Sequence, residues 1–277
     1  MLRSFQMVDV FGTEPFTGNP VAVIADAQDL STEEMQRITR WLNLSETTFL
    51  LPPTDSKADY RVRIFTLARE LPFAGHPTLG SCHAWLEAGG QPMRGDVIVQ
   101  ECGAGLIAIR RTESGLAFKA PPLIRSGAPS ERDVARGAAV LRIDPARIVD
   151  AWWGDNGPGW LIIMLARAED VLAVEPLRHY PERIDIGLVG PHPEGSEVAF
   201  ELRAIFSGAH GELIEDPVTG SLNAAVGQWL FGSGRARGRY TAQQGTVIGR
   251  SGRISVSEDG TGNVWVTGRT QTLLRCG

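Results

Sequence analysis

The sequence predicts an α+β protein of two pseudo-symmetric lobes, each a curved, β-barrel-like sheet around one central buried helix. Three observations point there. Two stretches that read as helices carry almost no charge: Ser221 to Phe231 has none, and Thr78 to Leu86 has only His83. A helix that is apolar or small on every face has to be buried. The two stretches also repeat. Pro77, Gly80 and Ser81 recur 140 residues later as Pro217, Gly220 and Ser221, and Arg63 and Ala84 recur as Arg203 and Ala224. A period of half the chain marks a duplicated unit. The rest of each half breaks into short β-branched and aromatic runs punctuated by Gly and Pro, which read as strands. A sheet that covers a helix on all sides has to curve around it.

The elements follow in order. Arg3 to Val10 and Val21 to Ala25 read as strands around a turn-rich loop, Phe11 to Pro20. Ser31-Thr-Glu-Glu34 is a capping box, which predicts a helix over Thr32 to Leu42. Asn43 to Leu51 enters a strand that Pro52 and Pro53 end, and Tyr60 to Phe65 is a half-exposed strand. The first buried helix falls within Phe73 to Gly90 and is stopped by Gly89-Gly90. Three short runs between Val97 and Lys119 read as a meander. Ala120-Pro-Pro122 divides the lobes, giving 1–120 and 121–277. The second lobe opens with a helix within Ser126 to Leu141. Strands follow at 148–153, 160–165, 184–189, 197–206, 240–244, 253–258 and 263–267. Asp216 before Pro217 reads as an N-cap followed by a first-turn proline, so the second buried helix is expected to start there.

Composition bounds the function. At 277 residues, 43% hydrophobic and 21% charged, the chain is an ordinary globular protein. A net charge of −5 argues against nucleic acid as a partner. No window approaches the ~20 apolar residues of a membrane helix, and the N-terminus lacks a signal core. Three scattered cysteines suit a reducing cytoplasm. Five scattered histidines show no zinc-helix spacing, so neither a metal nor a cofactor is expected. Cys102-Gly-Ala-Gly-Leu-Ile-Ala108 imitates a dinucleotide fingerprint, but a strand-like run follows where a helix is required, so it reads as a hairpin turn.

The candidate site residues come from the repeat and from isolated charge. Glu46 stands alone in Ser45-Glu-Thr-Thr-Phe-Leu-Leu-Pro52. A lone carboxylate in an apolar strand suits a proton carrier, with solvent exposure at the strand's start as the plain alternative. His76 and Asp216 are paired positions at that 140-residue spacing. If the lobes face each other, both helix starts converge on one cleft. Two positive helix ends can hold a carboxylate there, and His and Asp can move protons beside it. Capping alone also explains Asp216. Ser81 and Ser221 are expected to bond back to a carbonyl one turn earlier. Trp152, Trp153 and Trp160 read as packing.

At these residues the chain resembles the phenazine-biosynthesis isomerase (PhzF-like) family, which has the diaminopimelate epimerase fold. The resemblance rests on Val8-Asp-Val-Phe11, Pro15-Phe-Thr-Gly-Asn-Pro20, Ser45-Glu-Thr-Thr-Phe49, Glu70-Leu-Pro-Phe-Ala-Gly-His-Pro-Thr78, Glu215-Asp-Pro-Val-Thr-Gly-Ser221 and Gln244-Gly245 with Gly249-Arg250. It implies catalytic roles for Glu46, His76, Asp216 and Ser221. It also implies substrate contacts from Asn19, Ser45, Gly75 and Gly220, with no cofactor, a site in the cleft between the lobes and a homodimer. The family's best-known chemistry is a cofactor-free isomerisation in which the glutamate moves a proton between ring carbons. Related epimerases use two cysteines. The matching positions here are within Phe73 to His76 and at Asp216, which disfavours that mechanism. The loop Asp155-Asn-Gly-Pro-Gly-Trp160 departs from the expected Asp-Thr-Gly-Pro followed by a basic residue or His.

The reading is therefore a cofactor-free isomerase acting on a small carboxylate-bearing molecule, with Glu46 as acid and base. One alternative is an epimerase or racemase with Glu46 and Asp216 as opposed bases. Another is a non-catalytic small-molecule binding protein on the same scaffold.

Overall fold

A computed structural model describes residues 3–208 and 210–276. The fold is mixed α/β, mostly strand, with five α-helices among the described residues. The chain divides into two compact units. Unit 1 is Met1–Lys119 with Thr267–Gly277, and unit 2 is Ala120–Val266.

Unit 1 begins with β1 (Phe5–Val10), β2 (Asn19–Ile24), α1 (Thr32–Leu42), β3 (Glu46–Leu51), β4 (Tyr60–Thr66), β5 (Glu70–Leu71) and α2 (Gly75–Glu87). The meander β6 (Val97–Cys102), β7 (Gly105–Thr112) and β8 (Gly115–Lys119) follows. The hairpin at Cys102–Gly105 lies where the false fingerprint stands. Strands β1 and β2 are antiparallel, β3 joins β2 in parallel, and β4 joins β3 antiparallel. β4 carries β5 on one end and β6, in parallel, on the other. The Ser31–Glu34 capping box forms, and α1 packs Met35 against Ile24, Phe49 and Phe65 on one face of the sheet. α2 lies on the other face. It has no charged residue before Glu87, its residues 75–82 are all buried, and it packs against β1, β2, β3, β4, β6 and β8.

Unit 2 runs the same course. It comprises β9 (Arg125–Gly127), α3 (Glu131–Leu141), β10 (Ile148–Asp155), β11 (Gly159–Leu165), α4 (Ala168–Leu172), β12 (Asp185–Pro191), β13 (Phe200–Ser207) and β14 (Leu213–Asp216). Then come α5 (Gly220–Gly232), β15 (Arg239–Gln244), β16 (Gly252–Glu258) and the start of β17 (Val264–Gly268), whose last two residues count with unit 1. β10 and β11 are antiparallel, β12 joins in parallel, β13 antiparallel, and β13 carries β14 and the parallel β15. Side chains alternate along β12 as a strand requires. Ile184, Ile186 and Leu188 face the apolar cluster that includes Leu141 of α3. Gly187 faces α5 so closely that a Cβ there would meet Leu222 Cδ1 at 2.2 Å. Burying Leu222 and Leu230 of α5 stabilises the unit by about 1.5–3 kcal/mol each.

Four expectations need correction. The second lobe does not keep 121–277: the last strand, β18 (Thr270–Cys276), belongs to unit 1, because it pairs with β1 along its whole length. The second buried helix does not start at Asp216-Pro217. Asp216 is held extended in β14 opposite Ala204, so the cap position falls to Thr219 and α5 begins at Gly220. The helical repeat is therefore spaced 145 residues, not 140. Gly75 corresponds to Gly220, His76 to Ser221 and Glu70 to Glu215. The spacing of 140 holds for Arg63 and Arg203, which pair with Glu70 and Glu215 respectively. Finally, Ser81 donates across to Thr48 Oγ1 on β3, not back along its own helix. No helix among the described residues is long and apolar enough to cross a membrane.

Candidate active site

In unit 1 the strand β3 starts on Glu46, and alternation turns Glu46 and Thr48 to the face that meets α2. His76, the second residue of α2, sets its Nε2 3.5 Å from Glu46 Oε2. Glu46 is 16% and His76 4% exposed at the side chain. Asn19, the fully buried first residue of β2, places its Nδ2 3.2 Å from His76 Nδ1. Which ring nitrogen carries the proton depends on the tautomer: with the amide donating to Nδ1, the proton lies on Nε2, toward Glu46. Burial pushes His76 down to about 3, against a smaller opposing pull from the Pro20 carbonyl. The imidazole is therefore neutral at physiological pH, and its contact with Glu46 is not an ion pair despite the short separation. Gly75 is buried at the first position of α2, and Ser45 is half-buried just before β3.

In unit 2 the first turn of α5 is built on a polar network. Asp216 is 8% exposed and accepts the Thr219 hydroxyl at 2.5 Å. Buried Gln244 ties the turn together. Its Nε2 donates to the Asp216 carbonyl and to Thr219 Oγ1, and its Oε1 accepts from Thr219 N and Asn223 Nδ2. Ser221, expected to bond back along the helix, instead accepts the Trp160 indole Nε1–H on its Oγ at 3.1 Å. Asn156 Nδ2 donates to the Ser221 carbonyl at 2.8 Å. Trp160, expected only to pack, is thus bonded to a candidate catalytic residue.

The helix ends differ in one telling way. The sheet-flanking helices α1 and α3 have serine caps and acidic residues in their first turns. The central helices α2 and α5 have neither a side-chain cap nor an acidic residue there. Their starts present the positive end of the helix dipole without a capping side chain or a first-turn acid of their own, which favours an anion. The Thr219 hydroxyl sits at the cap position of α5 but is spent on Asp216.

Sequence reasoning missed several of these groups. Asn223 gave no signal beyond being polar, Thr219 and Gln244 were visible only within resemblance motifs, and Asn156 only within the loop that departs from the expected pattern. A counterpart of Glu46 was missed too. Glu46 stands opposite Val21 and Thr66, and Asp185 stands opposite Trp160 and Phe206 in the same arrangement. Asp185 is 8% exposed and accepts from Arg183 Nη2 at 3.2 Å.

Comparisons with known proteins agree with this architecture. The family model for phenazine biosynthesis-like proteins (PhzC-PhzF) matches residues 8–275. Antisense-enhancing sequence 1 of Schizosaccharomyces pombe is 37% identical over 98% of this chain and 97% of its own length. The trans-2,3-dihydro-3-hydroxyanthranilate isomerase of Pseudomonas aeruginosa is 30% identical over 94% of this chain and 92% of its own. The solved structure of a predicted epimerase from Pseudomonas aeruginosa aligns with a TM-score of 0.82 at 28% identity, covering 99% of this chain and 98% of that one. The chain belongs to the phenazine biosynthesis-like (PhzC-PhzF) family and is an isomerase of that family.

Proposed function

We propose that the chain moves a proton between two carbons of a small carboxylate-bearing substrate, with Glu46 as the acid and base and no cofactor taking part. The observation that carries this reading is the Glu46–His76 pair at the uncapped start of α2, 3.5 Å apart. The Glu46 carboxylate takes a proton from a substrate C–H bond, and the electron pair passes into the conjugated system next to the substrate carboxylate. The same oxygen then returns the proton to a different carbon, so the double bond shifts and Glu46 is restored. His76 offers its Nε2 proton to the Glu46 carboxylate and keeps it aimed. Asn19 and Ser45 support that end, with Asn19 acting through the His76 ring. The N–H groups at Gly75 and Gly220 and the Ser221 hydroxyl take the substrate carboxylate, where fixed dipoles stabilise the developing negative charge. Asp216 orders the α5 start through Thr219. We read each unit as a barrel-like sheet around its helix and expect a homodimer.

The test is to incubate the protein with trans-2,3-dihydro-3-hydroxyanthranilate in heavy water. Double-bond migration is followed by ultraviolet absorbance and deuterium by mass spectrometry. Migration with deuterium at the carbon that gains hydrogen supports the reading. Migration at full rate in Glu46→Gln rejects the assignment.

A second reading is favoured by the similarity to a predicted epimerase. In it Glu46 and Asp216 act as opposed bases on one stereocentre. It calls for deuterium at that centre of a 2-amino or 2-hydroxy acid, loss of optical rotation and no bond migration.

A further inference from the structure

Ser221, the second residue of α5, is gripped from the β10–β11 hairpin by two side chains. Trp160 Nε1–H donates to its Oγ at 3.1 Å, and Asn156 Nδ2 donates to its carbonyl at 2.8 Å. Trp160 is 3% and Asn156 5% exposed, so both grips are internal. An indole N–H can only donate, whereas a serine hydroxyl can donate or accept. A freely turning hydroxyl suits an acceptor or a donor on a ligand equally well. Once the indole occupies one lone pair of Ser221 Oγ, the O–H bond points away from the ring, so a ligand meets the proton and the one lone pair that remains.

Unit 1 repeats the device with other chemistry. The second residue of α2 is His76, and it is held through its ring by Asn19 at the start of β2. Asn19 sits at the start of the second strand of the β1–β2 hairpin, and Trp160 near the start of the second strand of β10–β11. In each unit, then, a buried hairpin side chain sets the hydrogen-bonding direction of the residue one step inside the central helix.

We propose that Trp160 is a positioning residue that sets substrate choice. By donating to Ser221 it takes one of the two acceptor positions of the hydroxyl and weights it toward donation, so that the α5 start prefers an acceptor-only carboxylate over the neutral amide of the same shape. This rests on the reading that the α5 start receives the substrate carboxylate.

The experiment compares binding of 2-aminobenzoate and 2-aminobenzamide by calorimetry. The proteins are the wild type, Trp160→Phe, Ser221→Ala and the double variant. The wild type is expected to prefer the carboxylate. Trp160→Phe keeps the ring, loses the N–H, and is expected to weaken 2-aminobenzoate by about five- to tenfold, the worth of one hydrogen bond. It should leave 2-aminobenzamide within about twofold, and should have no further effect in the Ser221→Ala background. A merely structural role would weaken both probes alike and would persist without Ser221. Either result overturns the proposal, as does a wild type that binds neither probe or does not tell them apart. Should Trp160→Phe fail to fold, the indole Nε1–H proton resonance of Trp160 in the wild type carries the test. It is expected to move on saturation with 2-aminobenzoate and to stay in place with 2-aminobenzamide, and an unmoved signal overturns the proposal. If the probe contrast holds while Glu46→Gln keeps its rate, the proton-transfer reading falls and the Trp160 assignment stands.

Discussion

The His76 imidazole faces the Glu46 carboxyl group at 3.5 Å while its own burial keeps it uncharged. A charged histidine there would lock Glu46 in a standing ion pair. A neutral ring leaves Glu46 able to take up and release a proton with little electrostatic opposition. Glu46→Gln keeps the shape and removes the base, so turnover should fall by about 10²- to 10⁴-fold. Binding of 2-aminobenzoate should change by less than about threefold, since an amide fills the same space. Calorimetry alongside steady-state rates separates the two, and a variant that loses binding as much as rate would move Glu46 into substrate recognition.

The burial of His76 also fixes a sign for stability against pH. Its ring protonates near 3 in the folded protein against an ordinary 6.5. Between those values the unfolded chain binds the proton and the folded one does not. Stability is therefore complete above about 6.5 and is lost as pH falls toward 3, at up to about 1.4 kcal/mol per pH unit from this one group. Carboxylates titrate in the same window, so the comparison that isolates His76 is with His76→Asn. Urea unfolding from pH 7.5 to 4 should show a steeper decline in the wild type. Parallel declines would mean that the ring is not held neutral.

The central helices were legible because their lack of charge is a local property of the sequence. Glu46 stood out for the same reason, as a lone carboxylate in an apolar run, whereas His76 and Asp216 were picked as paired positions 140 residues apart and the role of Ser221 came only from the family resemblance. The repeat was visible too, but its spacing was misread. It is 139 between Glu46 and Asp185, 140 between Arg63 and Arg203, and 145 between His76 and Ser221. Chance matches of Pro, Gly and Ser at 140 concealed the five-residue step, which falls in the connection after β13. Only strand register resolves it, because hydrogen-bonded pairing reports position directly and residue type does not. The Trp160–Ser221 and Gln244–Thr219 bonds were out of reach for a similar reason. Each joins positions at least 25 residues apart through side chains that look unremarkable locally.

The two arginine–glutamate pairs of the repeat should differ in energetic weight. Arg203 is 2% exposed, grips Glu215 through two nitrogens, and donates to the Val171 and Val174 carbonyls. Arg203→Met would leave a mostly buried carboxylate and two carbonyls without their donor, at a cost of about 3–5 kcal/mol. Arg63 makes the same two-nitrogen grip on Glu70, but the side chains are 19% and 38% exposed. Water can replace that donor, so Arg63→Met should cost about 0–1 kcal/mol. Urea midpoints of the two variants decide it, and equal losses would mean that burial does not set the difference.

Gly18 is where backbone packing controls the site. A Cβ there would lie 2.3 Å from the Val10 carbonyl oxygen, 2.5 Å from the Gly12 nitrogen and 2.5 Å from Asp9 Oδ1. Two of those atoms are backbone and cannot swing aside, and the Gly18 N–H is itself held by Asp9 Oδ2. Gly18→Ala must therefore open the loop, at about 1–3 kcal/mol. The next residue, Asn19, holds the His76 ring, so the displacement passes directly to the Glu46–His76 pair. The expected result is a lower melting temperature and a loss of turnover exceeding any loss of ligand binding. Gly232→Ala is the control. It ends α5 with open space where the methyl would go, and should be neutral or stabilising by up to about 1 kcal/mol with unchanged rate. If Gly18→Ala keeps full turnover, the loop does not position His76, and Asn19 has no bearing on the chemistry.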